Sequence, residues 1–185
     1  MRSRTIPLWI VAGTLSLVAF AWGDLPPQEL PVYGGSGGSA FGRNCGQGRV
    51  LTGLRYRSGV VLDAIGLLCR PVLSNGTLGP ETTVGTLAGG GGGNSDSRDC
   101  GPGNVVAGAN PQFGTYVSSI LLLCAPWHAS SRSMGQASAS QRVGDYHPFT
   151  TDRAEDCESS AQPAHAIRGR SGAYIDAFGL ICDEP

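Results

Sequence analysis

Six cysteines fall into three pairs of nearly equal span, and the chain around each pair repeats. Cys45 precedes Cys69 by 24 residues, Cys100 precedes Cys124 by 24, and Cys157 precedes Cys182 by 25. The segments that close each span match: SGVVLDAIGLLC from Ser58, FGTYVSSILLLC from Phe113 and SGAYIDAFGLIC from Ser171. Each carries a glycine ten residues before its last cysteine (Gly59, Gly114, Gly172), and a polar residue precedes each first cysteine (Asn44, Asp99, Asp156). A period of this kind marks one structural unit used three times. The copies run over about 33–72, 88–127 and 145–185.

Equivalent units close equivalently, so the repeat selects one disulfide pairing: Cys45–Cys69, Cys100–Cys124 and Cys157–Cys182. Closing a loop of this length removes about 3 kcal/mol of unfolded-state entropy per bridge. Zinc sites need closer spacing, such as Cys-x-x-Cys, which is missing here.

Each copy reads as an antiparallel hairpin. Ile65, Leu67 and Cys69 alternate onto one face, as do Ile120, Leu122 and Cys124, and Phe178, Leu180 and Cys182. Strands over Val50–Tyr56, Val105–Ala109 and Ala164–Arg168 precede the glycines, which makes those glycines turn residues. Asn75-Gly76 marks a further turn, and Thr77 completes a glycosylation sequon there. Leu73–Val84 and the Ser-rich Ala129–Gly144 read as linkers. With 29 glycines and few strong helix formers, the composition favours strands and turns. One copy cannot cover its apolar face, whereas three copies around a pseudo-threefold axis turn those faces on one another. The expected fold is all-β, with three antiparallel sheets.

The first residues address the compartment. Arg2 and Arg4 precede an uncharged run from Ile6 to Trp22, which ends at Ala21-Trp22-Gly23 before Asp24. This is the layout of a secretory signal peptide over residues 1–23, followed by one domain over 24–185. The chain is then expected outside the cytoplasm, secreted or periplasmic, where disulfides persist. No later segment reads as a membrane span. Without the leader, 11 arginines face 14 acids and lysine is absent. That balance disfavours nucleic-acid partners and leaves no residue for Schiff-base chemistry.

The glycine clusters and hairpin turns resemble a known family. Gly-Gly-x-Gly-Gly at Gly34–Gly38, Gly-Val-Val-Leu-Asp at Gly59–Asp63 and Gly-Ala-Tyr-Ile-Asp at Gly172–Asp176 resemble the jacalin-related lectins. Three cysteine-bearing copies also resemble the vitelline membrane outer layer proteins, although Trp127 is the only tryptophan after the leader. Both resemblances imply a β-prism.

The lectin resemblance further implies a carbohydrate site at one prism end, built from Gly34, Gly35, Gly172, Ala173, Tyr174 and Asp176. There a carboxylate accepts sugar hydroxyls, glycine N–H groups donate and Tyr174 offers an aromatic face. A second site is implied at Gly59 and Asp63, with Gly89–Gly93 as its loop. In the middle copy Ser118 replaces the carboxylate, and the third copy has Thr150-Thr151-Asp152-Arg153 where the others have a glycine cluster. Arg55, Arg57, Arg168 and Arg170 recur before the turns, and ion pairs with Asp63 and Asp176 are the expectation. The alternative function is a structural or protective component of an extracellular layer.

Catalysis has little support. His128, His147 and His165 are scattered, no serine sits in a Gly-x-Ser-x-Gly elbow, and the cysteines are assigned to bridges. The expectation is a binding protein for carbohydrate or glycoconjugate, with no cofactor and no metal. An exposed strand of the first copy is compatible with a homo-oligomer.

Overall fold

The computed structural model describes residues 25–147 and 150–185. The leader and its cleavage point therefore lie outside the described residues. Regular structure within them consists of strands alone: β1 (Gln28–Glu29), β2 (Tyr33–Gly34), β3 (Ser39–Asn44), β4 (Arg49–Ser58), β5 (Leu62–Pro71), β6 (Thr82–Gly89), β7 (Asn94–Asp99), β8 (Asn104–Phe113), β9 (Val117–His128), β10 (Ser133–Met134), β11 (Ala139–Gly144), β12 (Thr151–Asp152), β13 (Glu155–Asp156), β14 (Ala164–Ser171) and β15 (Ile175–Cys182).

Three antiparallel sheets result, each centred on one repeat hairpin. The first has the order β6-β5-β4-β7. In the second, β8–β9 carries β12 and β13 on β8, and β10 and β11 on β9. In the third, β14–β15 is flanked by β3 on β14 and by β1 and β2 on β15. The three hairpin turns close alike, through Gly59 N–H to Val61 O at 3.1 Å, Gly114 N–H to Tyr116 O at 3.0 Å and Gly172 N–H to Tyr174 O at 2.9 Å. These are the three antiparallel sheets expected from the repeat, arranged as the β-prism that the family resemblances imply.

The alternation read from sequence sets the core. Ile65, Leu67, Cys69, Ile120, Leu122, Cys124, Phe178, Leu180 and Cys182 are all buried, and they join one cluster that also holds Leu54, Val105 and Ile167. Sheets with one apolar face each become stable when those faces meet.

A sequence copy and a sheet are different units. The strand that precedes each first cysteine leaves its own copy and pairs with the hairpin of the copy before it. Thus β7 joins β4, and β12 and β13 join β8, while β3 joins β14 and so links the start of the domain to its end. Each first cysteine is held there by backbone: Cys45 N–H donates to His165 O at 3.0 Å, Cys100 N–H to Thr52 O at 2.8 Å and Cys157 N–H to Ala107 O at 2.8 Å. The pairings Cys45–Cys69, Cys100–Cys124 and Cys157–Cys182 form as expected. Each therefore ties two sheets together, and the three bridges make a ring.

The linkers are more ordered than their composition suggests. The end of Leu73–Val84 enters β6, which pairs with β5, and half of Ala129–Gly144 forms β10 and β11 on β9. The Asn75-Gly76 turn is present, with Gly76 at φ 82° and a bridge between Val72 and Leu78. Trp127 anchors it by donating from Nε1 to Gly76 O at 2.8 Å.

Because a bridge crosses between sheets, its loss loosens the prism at the end remote from the hairpin turns. Replacing Cys157 and Cys182 together by alanine is expected to lower the unfolding free energy by about 3 kcal/mol, measured by urea denaturation. A loss well under about 1 kcal/mol would show that strand exchange alone holds the ring closed.

Candidate functional site at the glycine-loop end

The three hairpin turns lie at one end of the prism, and a loop entering from a neighbouring strand covers each. Equivalent register defines these loops: Gly34 pairs with Ala177, Gly89 with Ala64 and Gly144 with Ser119. All three glycines take positive φ, at 139°, 108° and 77°. The first two loops make matching bonds, Gly35 N–H to Asp176 O and Gly90 N–H to Asp63 O, both at 2.8 Å.

Two of the three positions are near copies of each other. At one, Gly37 and Gly38 lie against the Asp176 side chain so closely that a Cβ on either would collide with a carboxylate oxygen. At the other, Gly92 and Gly93 stand in the same relation to Asp63. Gly38 and Gly93 also take positive φ, at 58° and 63°, and press on the carbonyls of Ser171 and Ser58. Glycine is required here by both close approach and backbone conformation.

Asp176 and Asp63 are 5% and 6% exposed, and neither carboxylate accepts a hydrogen bond from the described residues. Neither appears among the buried polar atoms left without a partner, so their oxygens still reach solvent. The N–H groups of Gly37, Gly38, Gly92 and Gly93 likewise donate to no backbone acceptor among the described residues. Buried polar groups are normally paired. Each position thus sets unused acceptors beside unused donors.

Arg57 and Arg170 depart from expectation. Neither pairs with Asp63 or Asp176. Arg170 donates from Nε to Ser36 O at 3.1 Å and Gly37 O at 2.7 Å, and from Nη2 to Gly38 O at 2.6 Å. Arg57 does the same at the other loop, to Gly92 O at 2.6 Å and Gly93 O at 2.7 Å, with Ser95 Oγ at 2.7 Å. The loop carbonyls lie within reach of the guanidinium fork and the carboxylates lie beyond the loop. Arg55 donates to Gly85 O, and Arg168 pairs with Glu29 and donates to Leu30 O at 2.9 Å.

Other predicted residues take defined places. Gly59 and Gly172 stand just under 4 Å from the carboxylates of Asp63 and Asp176 at the position of an added Cβ. Ala173 presents its carbonyl to Gly90, so the third hairpin turn buttresses the loop over Asp63. Thr115 does the same for Gly35 in the loop beside Asp176. Tyr174 was expected beside Asp176, yet its ring packs on Tyr116, with centroids 4.9 Å apart. Both tyrosines line a depression of about 420 Å³ with Val60, Val61 and Asp63. Turns from neighbouring copies meet at the axis, so an aromatic side chain on one turn serves the next.

Entry to the Gly34 loop is pinned by Tyr33. Its ring stacks on Phe113 at 5.5 Å, and its hydroxyl donates to Glu155. That hydrogen bond holds the Tyr33 phenol above its usual pKa.

The third position is built differently, and Ser118, Tyr116, His147 and Thr150 line an open depression of about 240 Å³ there. Its loop opens with Gly144-Asp145-Tyr146-His147, and the Thr150–Arg153 segment expected from sequence reaches the same place, where Thr151 and Asp152 pair with Phe113 and Gln112. Ser118 occupies the carboxylate position, buried and donating to Gln112 O at 3.2 Å. Arg142 reaches Gln112 Oε1 at 3.2 Å and Ser119 Oγ at 3.0 Å, with its guanidinium 5.2 Å from the Tyr146 ring centre. Gln112, Ser118, Ser119 and Arg142 thus bond among themselves, whereas His147 Nε2 is buried without a partner among the described residues.

The arrangement defines a β-prism with two glycine-loop and carboxylate positions at one end. Solved structures share the fold. Malaysian banana lectin is 19% identical, with a TM-score of 0.55 over 88% of this chain and 100% of its own. A mannose-binding jacalin-related lectin from Ananas comosus is 22% identical, with a TM-score of 0.56 over 86% and 99%. Artocarpin in complex with mannotriose is 14% identical, with a TM-score of 0.55 over 84% and 97%. The fold is thus the β-prism of the jacalin-related lectins. No family model matches the chain, and no curated protein matches it in sequence.

Close approach at the loops yields a stability contrast. Gly93→Ala is expected to cost more than about 1 kcal/mol, because the new methyl meets Asp63 and Ser58 at positive φ. Gly42→Ala in β3, with open space around it, is expected to stay within about 0.5 kcal/mol of wild type. Paired thermal melts compare the two.

Proposed function

We propose that the protein binds neutral carbohydrate at two equivalent positions on the prism end, centred on Asp176 and Asp63. The observation that carries this reading is the repeated pairing of a solvent-reaching carboxylate with unbonded glycine N–H groups. Adjacent hydroxyls of a pyranose can donate to the two oxygens of one carboxylate, while the loop N–H groups donate back to hydroxyl or ring oxygen. Hydrogen bonds to a charged group contribute about 1.5–3 kcal/mol each, enough to orient a single sugar. Tyr174, Tyr116, Val60 and Val61 offer apolar contact for the faces of the ring or of a following residue. A fixed negative charge in each position disfavours sialic or uronic acids, since like charges at short range repel.

Mannose and mannotriose are the ligands named for two structures of the same fold, which makes methyl α-D-mannopyranoside the first probe. Two sites on one rigid end also favour branched or clustered glycans over free monosaccharide, through effective concentration. Export to an oxidising space, as the leader implies, fits the three disulfides and would bring the protein to glycans outside the cytoplasm. Binding at a prefabricated polar surface requires no reacting group, so the proposal is a binding protein without catalysis.

Titration calorimetry with methyl α-D-mannopyranoside tests this. Two sites per chain are expected. Asp176→Asn and Asp63→Asn should each reduce the stoichiometry to one and together abolish binding, with the melting temperature retained. If neither this sugar nor a broad glycan array is bound by the wild type, the reading fails and a structural role in an extracellular layer takes its place.

A further inference from the structure

The three copies supply an internal comparison. In copies one and three an arginine stands two residues before the turn glycine, a glycine-rich loop covers the turn, and an aspartate lies four residues after the glycine. Copy two has Gln112, Asp145-Tyr146-His147 and Ser118 at the corresponding places. Arginine, glycine loop and carboxylate are therefore retained together or lost together. Where they are retained, the arginine spends its donors on the loop carbonyls and makes no ion pair with the carboxylate.

We propose that Arg57 and Arg170 are positioning residues that clamp each glycine loop against its carboxylate and prepare its N–H groups to donate to a ligand. Resting on the carbohydrate reading, the proposal assigns to that site residues that touch no sugar.

Five-residue loops made largely of glycine lose much entropy on ordering, and Gly34–Gly38 has few side chains with which to hold itself. Arg170 replaces that missing packing with three hydrogen bonds from one half-buried side chain to Ser36, Gly37 and Gly38. Arg57 bonds two carbonyls and a serine hydroxyl in the other loop. Bonds from a guanidinium are charge-assisted, and the planar fork holds several acceptors in fixed directions.

Orientation follows from the trans peptide. When the carbonyls of Ser36 and Gly37 point to the guanidinium, the N–H groups of Gly37 and Gly38 in the same planes point the opposite way. A positive charge at the carbonyl end also polarises each plane, strengthening its N–H as a donor, as in any hydrogen-bond chain. The loop then lies between a cation that grips its carbonyls and a carboxylate that its glycines approach. In copy two Gln112 is neutral and bonds Ser119 and Arg142, so no clamp remains where no carboxylate does.

A single-site background isolates the effect. In Asp63→Asn protein, only the Asp176 position is left to bind methyl α-D-mannopyranoside. Adding Arg170→Met should weaken that binding by about tenfold through lost preorganisation and raise deuterium uptake in the segment 34–39, with the melting temperature little changed. Arg170→Lys, with a single ammonium in place of the fork, should fall between the two. In the wild-type background, Arg57→Met should raise uptake in 89–94 and leave 34–39 as it was.

Unchanged uptake at 34–39 in Arg170→Met overturns the clamp whether or not sugar binds. A looser loop with unaltered affinity in the Asp63→Asn background overturns its role in recognition. If the Asp63→Asn parent binds no sugar while Arg170→Met loosens the loop, the clamp stands as a loop-ordering device and the carbohydrate reading is what fails.

Discussion

Each sheet hides one apolar face that it cannot cover alone, and everything else in the structure follows from the way three such sheets close on one another. Ile65, Ile120 and Phe178 occupy equivalent positions in the three hairpins and are fully buried together with Leu67, Leu122 and Leu180. Burial of this kind is non-directional and would not by itself fix three sheets in order. Strand exchange supplies the order. Since β3, β7 and β13 each pair with the hairpin of another copy, the sheets are linked by backbone ladders as well as by side-chain packing. The ring closes when the first strands of the domain pair with the last hairpin, which brings the two ends of the domain into one sheet.

The bridges and the candidate site sit at opposite ends of this arrangement. Cys69 lies seven residues along β5 from the turn end, roughly 20 Å at the rise of a β-strand. Cys124 and Cys182 stand in the same relation to their turns. The end that carries the glycine loops is therefore free to vary without disturbing the bridges. Copy two shows the result, having lost the carboxylate and the glycine loop while Val117, Ile120 and Cys124 remain in the core.

Periodicity made the hairpins, the cysteine pairing and the shared apolar face legible in the sequence, because each is imposed by local alternation and by repetition. The edge strands were not legible. Every residue of β7 but its last, Asp99, is exposed, and β11 is half open to solvent, so neither presents the alternation that marks a strand with one buried face. Their assignment comes from pairing with a distant hairpin. The same limit applies at the site. The glycines and aspartates that meet could be matched by repeat position, whereas the arginines were matched to aspartates on charge alone. In space the loop carbonyls intervene, and several neutral acceptors in the right directions hold the guanidinium. The packing of Tyr174 on Tyr116 was not legible for a related reason: a turn at a threefold axis faces its neighbour, and sequence distance is silent about that.

Comparison among the copies also explains why the third position has no glycine loop. A serine in place of the aspartate removes the charge, and a glycine loop over a neutral, empty pit would leave backbone donors unpaired. Polar side chains that bond one another stand beside that space instead, and an open depression remains over Ser118. Gln112 accepts from Ser119 and Arg142, and Ser118 donates back to the Gln112 carbonyl. The other two positions keep their polar capacity open, which costs stability wherever no ligand or water answers it. One end of a pseudo-symmetric fold thus carries two matched glycine-loop and carboxylate positions and a third in which Gln112, Ser119 and Arg142 bond one another, all on the same buried core.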